Sequence, residues 1–319
     1  MSSVDLIIAT YNGHDLLRDC LEHLRAQTLD TFRLIVIDDG SSPPVAPLVR
    51  AAFPAALVLR SSRNRGLARG LNAGVAAGDS ELVVLLNDDT RPQPDWLAEL
   101  VSCAGRHPDA GSIASKLRLE CERGKLHSAG DTYSVRTMPG NRGVWLDDFH
   151  QYDAESEVFG ACGGAALYRR DAIEAVKLPN GDVFDRRLFM YCEDVDLAWR
   201  LQTAGWTCVF APRAVVYHRL SATGGGKLAS YYVNRNLWLV FARSVPRAFF
   251  RPYRARIVAF HAGRLLRQLR HAREPAARAA LRGSVVGLAW LTVARRHCRA
   301  DGTTLDRLGR LLDPAEITG

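Results

Sequence analysis

Short, almost continuously apolar runs alternate along this chain with longer stretches whose apolar residues recur at helical spacing, and that alternation predicts a layered α/β fold. Residues 4–9 (Val, Asp, Leu, Ile, Ile, Ala) form the first run and stop at the turn-forming Thr10, Tyr11, Asn12 and Gly13. Leu16, Leu17, Cys20, Leu21 and Leu24 then mark one face of a helix. Residues 34–37 restart the cycle and end in Asp38, Asp39, Gly40, Ser41 and Ser42; residues 57–59 follow a second helical stretch, and residues 82–86 follow a third at 67–77. Strands apolar on both faces and alternating with helices imply a mainly parallel, Rossmann-like sheet covered by helices on both sides. Ligands of such sheets collect beyond the carboxyl ends of the strands. Three of those ends carry polar clusters, at residues 10–13, 38–42 and 87–90, which are expected to meet at one crevice.

Residues 112–153 are less regular, interrupted by Gly124, Gly130, Gly140 and Gly143, and read as loops and short strands. Residues 160–168 combine small residues with a strand-like end, as expected where backbone lies close to a ligand or another strand. Glu193 and Asp194 open a short helix with Leu197, Ala198 and Leu201 on its apolar side, which stops near Gly205. Residues 208–211 and 215–217 read as the last strands, with His218 directly behind them. After Gly224, Gly225 and Gly226 the character changes. Residues 228–243 and 254–273 are helical in pattern, the second with Ile257, Val258, Phe260, Leu265, Leu266 and Leu269 on one side and arginines on the other. Two parts are therefore expected, an α/β catalytic domain over 1–224 and a helical, Arg-rich region over 225–319.

Composition changes this picture in two places. At 319 residues and 47% apolar content the chain can bury a full core. The net charge of +8 is uneven: residues 225–300 hold sixteen Arg or Lys against one acid, Glu274, whereas residues 1–224 are net negative. Seven scattered cysteines without Cys-x-x-Cys spacing argue against a disulfide framework or zinc knuckle and for reduced thiols. The N-terminus lacks the basic and apolar regions of a signal peptide, and no apolar run approaches the roughly 18 residues of a membrane span. A cytoplasmic protein is expected.

Four blocks carry a resemblance: Thr10, Tyr11 and Asn12; Asp38, Asp39, Gly40 and Ser41; the spaced set Asn64, Gly66, Gly70, Asn72 and Gly74; and residues 189–200 around Glu193 and Asp194. In this order the chain, from residue 4 to about 220, resembles a family 2 glycosyltransferase of the GT-A fold, in the bacterial rhamnosyltransferase-like and galactofuranosyltransferase-like subgroup. The resemblance implies an inverting transfer from a nucleotide-diphosphate sugar donor to a hydroxyl of a glycan or lipid-linked saccharide, in cell-surface polysaccharide synthesis, assisted by Mg2+ or Mn2+. Elementary chemistry agrees with that reading. A diphosphate leaving group develops charge that a divalent cation on hard oxygen ligands stabilises, and an acceptor hydroxyl needs a carboxylate to take its proton.

Site roles follow from the same likeness. Asp89 matches the last acid of the family's Asp-x-Asp motif, which makes it a metal ligand. Asn87 occupies the first position and Asp88 is additional; both are expected at the nucleotide sugar, and either could be the second group that touches the metal. His218 is a further candidate metal ligand, its alternative being a packing role. Asp194, with Glu193 beside it, is the expected general base, kept ionised by the helix N-terminus; the alternative is a helix cap. Asp39, next to Asp38, would accept from the nucleotide base or ribose, and Tyr11 would lie along the base. Thr10 and Asn12 of the first block, with Asn64, Arg65, Gly66 and Asn72, are expected near base and diphosphate. Ordinary turn chemistry is the competing account of these loops. Arg235 and Asn236 are further candidate donor or acceptor contacts. Three readings compete for the basic tail: a peripheral contact with the anionic inner face of the cell membrane, nucleic-acid binding, which no base-reading motif supports, and a solvated face or homo-oligomer contact. The rival functions are a sugar nucleotidyltransferase, which lacks its glycine-rich, lysine-bearing loop here, and a non-catalytic nucleotide-sugar-binding protein.

Overall fold

The structure is a computed structural model and is described here for residues 3–219, 226–293 and 302–312. The predicted alternation opens it: β1 (Val4–Thr10), α1 (His14–Arg25), β2 (Arg33–Asp38), α2 (Ala46–Ala52), β3 (Leu57–Arg60), α3 (Leu67–Ala77) and β4 (Leu82–Asn87). Next come β5 (Thr90–Pro92), α4 (Trp96–Arg106), β6 (Ala110–Leu119), β7 (Leu126–Ser128), β8 (Asp131–Tyr133), β9 (Pro139–Asn141), β10 (Ser156–Val158), β11 (Ala165–Arg169), α5 (Arg170–Ala175), α6 (Glu193–Thr203) and β12 (Thr207–His218). The main sheet has the order β10-β12-β6-β11-β4-β1-β2-β3, with β5 and β7 pairing onto β12 and β6. β1 is parallel to β2 and β4, and β6 is parallel to β12, whereas β11 runs antiparallel between β4 and β6.

Alternate side chains of the strands feed two cores. Leu6 and Ile8 of β1 pack with Leu17, Leu21 and Trp96 on one face, while Ile7 packs with Leu71, Val75 and Leu197 on the other. Burial on both faces is what made these strands continuously apolar.

The irregular stretch expected from residue 112 contains instead the ten-residue strand β6. Its polar residues conceal a buried strand because each is served by a neighbour. Ser115 accepts from the Trp96 indole at 2.9 Å, and buried Lys116 donates to Asp153 at 2.9 Å and to Asp148 at 3.3 Å. The two last strands expected at 208–211 and 215–217 are one, β12, with a register shift between Ala211 and Val215.

The C-terminal helices are α7 (Lys227–Arg243), α8 (Arg247–Phe250), α9 (Arg254–Arg270), α10 (Pro275–Val293) and α11 (Gly302–Leu311). The boundary expected at residue 224 lies outside the described residues. α7 and α11 close a third apolar cluster, in which Leu237, Val240 and Leu308 meet Tyr133, Phe159 and Trp199. Trp199 is thus fully buried, edge-on to Tyr133 and Phe159. α10 lies tight on α7: a Cβ on Gly283 or Gly287 would collide with the backbone of Tyr231 or Arg235. No helix among the described residues is long and apolar enough to cross a membrane.

Candidate active site

The polar strand ends meet as expected. Thr10, closing β1, donates its hydroxyl to Asp88 at 2.6 Å, and Asn12 ties the first loop to the second, its amide N–H donating to Ser41 Oγ (3.0 Å) and its Oδ1 accepting from Ser42 (2.8 Å). Tyr11 stands half exposed beside this junction, with Asn12 also at the surface.

Asp38 and Asp39 lie under the crevice rather than free within it. The Asp38 carboxylate is fully buried and accepts from the Ser41 and Val45 amides and the Arg60 guanidinium. Burial alone would raise its pKa, but those donors outweigh it and hold the group below the usual carboxylate range. Asp39 accepts from the amides of Arg65 (2.9 Å) and Gly66 (2.8 Å), so it shapes the loop leading into α3. Asn64 Oδ1 accepts from the same Gly66 amide at 3.0 Å, while the Arg65 side chain is exposed. Gly66 has φ +92°, and a side chain there would strike Phe189. Asn72 is committed elsewhere: it accepts from Val183 and Phe184 and donates to the Phe184 carbonyl, anchoring the segment that leads to Glu193.

Beyond β4, Asn87 is partly exposed and the two acids point apart. Asp88 turns toward Thr10, next to Gly13, where a Cβ would collide with it. Burial pushes its pKa up to about 7, against the Thr10 hydrogen bond, and the charge of Asp89 adds to the rise. Asp89 faces His218 on β12, with Oδ1 3.1 Å from Nε2. Behind it, His218 Nδ1 lies 3.0 Å from Nδ1 of His127, which burial, and then His218, pushes down to about 3. His127 is therefore neutral, and the pair fixes the orientation of the His218 ring.

Glu193 and Asp194 begin α6 after a run of left-handed residues, Phe189 (φ 66°), Tyr191 (φ 67°) and Cys192 (φ 64°). Asp194 accepts from the amides of Gly163 (2.9 Å) and Val195 (2.8 Å), yet burial still raises its pKa. The helix N-terminus therefore does not hold it at an ordinary acidity. Glu193 is 6% exposed, its Oε2 has no hydrogen-bond partner, and burial, then Asp194, pushes it up to about 8. With donors on one carboxylate and none on this oxygen of the other, Asp194 is the member that ionises while Glu193 keeps its proton.

Two consecutive glycines join the acidic stations. A Cβ on Gly163 would sit 3.2 Å from Asp194 Oδ2, and one on Gly164 would sit 3.4 Å from His218 Cε1. Gly164 also accepts from the Asn87 amide at 2.9 Å. Asp194, Gly163, Gly164, His218 and Asp89 thus form a chain of neighbours, and the glycines, having no side chains, permit the close approach.

Residues 5–177 fit the pattern of Glycosyl transferase family 2, a span that holds Asp89, Gly163 and Gly164 and ends before Asp194 and His218. The chain belongs to glycosyl transferase family 2. Over 73% of its length it is 27% identical to N-acetylglucosaminyl-diphospho-decaprenol L-rhamnosyltransferase of Mycobacterium tuberculosis, covering 83% of that enzyme. It is also 29% identical over 70% of its length to an uncharacterized protein of Sinorhizobium fredii, but spans only 25% of that longer chain. Among solved structures, GalNAc-T7 with UDP, GalNAc and Mn2+ superposes with a TM-score of 0.60 at 14% identity, covering 76% of this chain and 48% of that one. That likeness establishes the GT-A fold expected from the sequence.

In this family 2 chain, Asp89 and His218 converge with one carboxylate oxygen and one imidazole nitrogen, two donors of the kind that bind divalent metal ions. A separate group, Cys103, His107 and Glu155, also brings three ligand types together. Cys103 is on α4, His107 follows it and Glu155 directly precedes β10, and Glu155 is already ion-paired with Arg106 and bonded to His107. His127, Gly163 and Gly164 were absent from the sequence-derived site. A histidine three residues before Gly130, in a stretch broken by scattered glycines, carries no local signal, and Gly163 and Gly164 declared only a close approach.

Proposed function

We propose that the chain is an inverting glycosyltransferase that moves a sugar from a nucleotide-diphosphate donor to a hydroxyl of a glycan or lipid-linked saccharide. The observation that carries this reading is the contiguity of Asp194 with His218 and Asp89 through Gly163 and Gly164. Asp194 takes the proton of the acceptor hydroxyl as its oxygen bonds to the anomeric carbon and the bond to the diphosphate breaks on the opposite face. A carboxylate whose pKa is raised holds that proton better than an ordinary one, while Glu193 stays protonated and adds no charge beside it. Asp89 and His218 would hold the divalent cation, which when bound supplies charge neutralisation for the departing diphosphate. Asp39 keeps the 64–66 loop in place as the floor for the nucleotide, with Tyr11 exposed at its edge.

The donor class has support from the structural neighbour with UDP, GalNAc and Mn2+, and the lipid-linked acceptor from the Mycobacterium tuberculosis relative. A lipid-linked acceptor also accounts for α9, where Val258, Leu266 and Leu269 are exposed among arginines, as a peripheral contact with the anionic inner leaflet. A panel of nucleotide sugars with released nucleoside diphosphate as readout tests the reaction. Pyrophosphate release would replace it by nucleotidyl transfer, and donor binding without turnover by a binding protein.

A further inference from the structure

The segment preceding the base is folded against its own backbone preference. Phe189, Tyr191 and Cys192 all adopt left-handed φ without being glycine, and non-glycine residues persist there only when their surroundings over-determine them. The surroundings are supplied by α7. The side-chain amide of Asn236, fully buried, donates to the carbonyls of Leu188 (2.9 Å), Met190 (2.8 Å) and Tyr191 (2.7 Å), two hydrogens shared among three acceptors. Its Oδ1 accepts from Arg235 Nε at 2.9 Å, and the Arg235 guanidinium donates to the carbonyls of Arg187 (2.7 Å) and Leu188 (2.8 Å). Arg235 is in turn stacked over Tyr232 and Trp290, at 4.7 and 5.1 Å from their ring centroids.

The same turn touches the nucleotide side. Phe189 stacks on Tyr232 (5.1 Å, 14°), accepts through its carbonyl from the Ala68 amide at 3.1 Å, and fills the space above Gly66. Residues 187–192 therefore bridge the start of α3 and the start of α6, and α7 supplies side-chain donors to the carbonyls of Arg187, Leu188, Met190 and Tyr191. We propose that Asn236, supported by Arg235, is a positioning residue that clamps this left-handed turn and thereby aims Asp194 at the acceptor hydroxyl. The proposal rests on Asp194 being the base. It replaces the expectation that Arg235 and Asn236 themselves contact donor or acceptor.

The test uses the full chain and the donor found by nucleoside diphosphate release. Asn236→Ala is expected to lower kcat about 100-fold, the loss typical of a reacting group displaced by an ångström. Affinity for the nucleoside diphosphate should stay within about twofold, because Asp39 holds the 64–66 loop independently. Amide exchange of residues 187–192 should speed up at the same time. Val240→Ala, in the apolar side of the same helix, should cost thermal stability but leave kcat within about twofold. Should Asn236→Ala fail to fold, the half-buried Arg235→Gln removes the bonds to Arg187 and Leu188 and should cost about tenfold in kcat. A folded Asn236→Ala or Arg235→Gln chain with wild-type kcat overturns the proposal, as does a matching kcat loss in Val240→Ala. A wild-type chain silent with every nucleotide sugar would instead sink the transferase reading, and unchanged exchange at 187–192 in the variants would then still refute the clamp.

Discussion

The nucleotide floor and the base loop are both acidic, yet they are built in opposite ways. On the floor three acids have been given donors: Asp38 has two amides and Arg60, Asp39 has two amides, and Asp88 has Thr10 from the neighbouring strand end. In the base loop Glu193 keeps an oxygen without a partner, the backbone is left-handed at Phe189, Tyr191 and Cys192, and the restraints come from a helix more than forty residues downstream. Asp38 on the floor is held by donors that outweigh its burial, whereas Glu193 in the base loop is tolerated with one oxygen left bare. Such uncompensated groups mark sites where stability is surrendered for chemistry.

The sharpest break between the two regions comes from removing one carboxylate charge. Asp194→Asn keeps shape and hydrogen-bonding size but cannot take a proton, so kcat should fall about 10³-fold with donor affinity unchanged. Stopped turnover in the presence of bound donor, measured by nucleoside diphosphate release and equilibrium binding, checks it. Collapse of donor affinity with turnover retained would move Asp194 to the floor and erase the distinction.

Asp89→Ala strikes the other region. It removes the carboxylate that faces His218, and donor binding in Mn2+ should weaken about 100-fold and cease to respond to chelator. Wild-type activity that persists in excess chelator would remove the cation from the account altogether.

How far the two regions could be read beforehand follows from the range of their contacts. The floor was legible because β1, β2 and β4 are apolar on both faces and end in polar residues, so Thr10, Asp39 and Asp89 announced themselves within a few positions of a strand end. The fold class came from the same pattern. β6 was hidden because Ser112, Ser115 and Lys116 are buried with partners from distant segments, which no hydropathy pattern records. His127 was hidden for a similar reason, since its meaning depends on His218, which reaches it across the sheet from β12. Asn72 and Asn236 stood out as residues of interest, but their common use, satisfying the backbone of the segment before α6, is visible only in three dimensions.

Proton linkage sharpens the contrast by sign. Glu193 is an acid whose folded pKa is raised from 4.5 to about 8. Between those values the unfolded chain has released the proton and the folded chain has kept it, so stability is complete below pH 4.5 and declines as pH rises toward 8. Glu193→Gln has no proton to lose and should therefore gain stability over the wild type, by roughly 2 kcal/mol at pH 7, with little gain at pH 5. Urea unfolding at the two pH values is the measurement, and an equal gain at both would contradict the linkage. Asp38 has the opposite sign: its folded pKa is lowered, so its contribution is present at neutral pH and lost in acid.

A third surface sets the smallest effect, because it belongs to neither region. Val258, Leu266 and Leu269 are 68%, 56% and 60% exposed on α9, and their spacing of eight and then three residues puts them on one side of the helix. Arg254 and Arg270 stand at its two ends. Exposed apolar side chains beside cations gain both burial and charge attraction at an anionic bilayer, and neither gain involves the crevice. Replacing all three by Ser should reduce binding to phosphatidylglycerol-containing vesicles about tenfold, with kcat on a water-soluble acceptor unchanged. High salt should weaken what remains, since the arginines then act alone through a screened field. Unchanged vesicle binding, with sedimentation falling from dimer to monomer, would make the same stripe a contact between copies of the chain, and the acceptor would then have to reach the floor and the base loop without a membrane to present it.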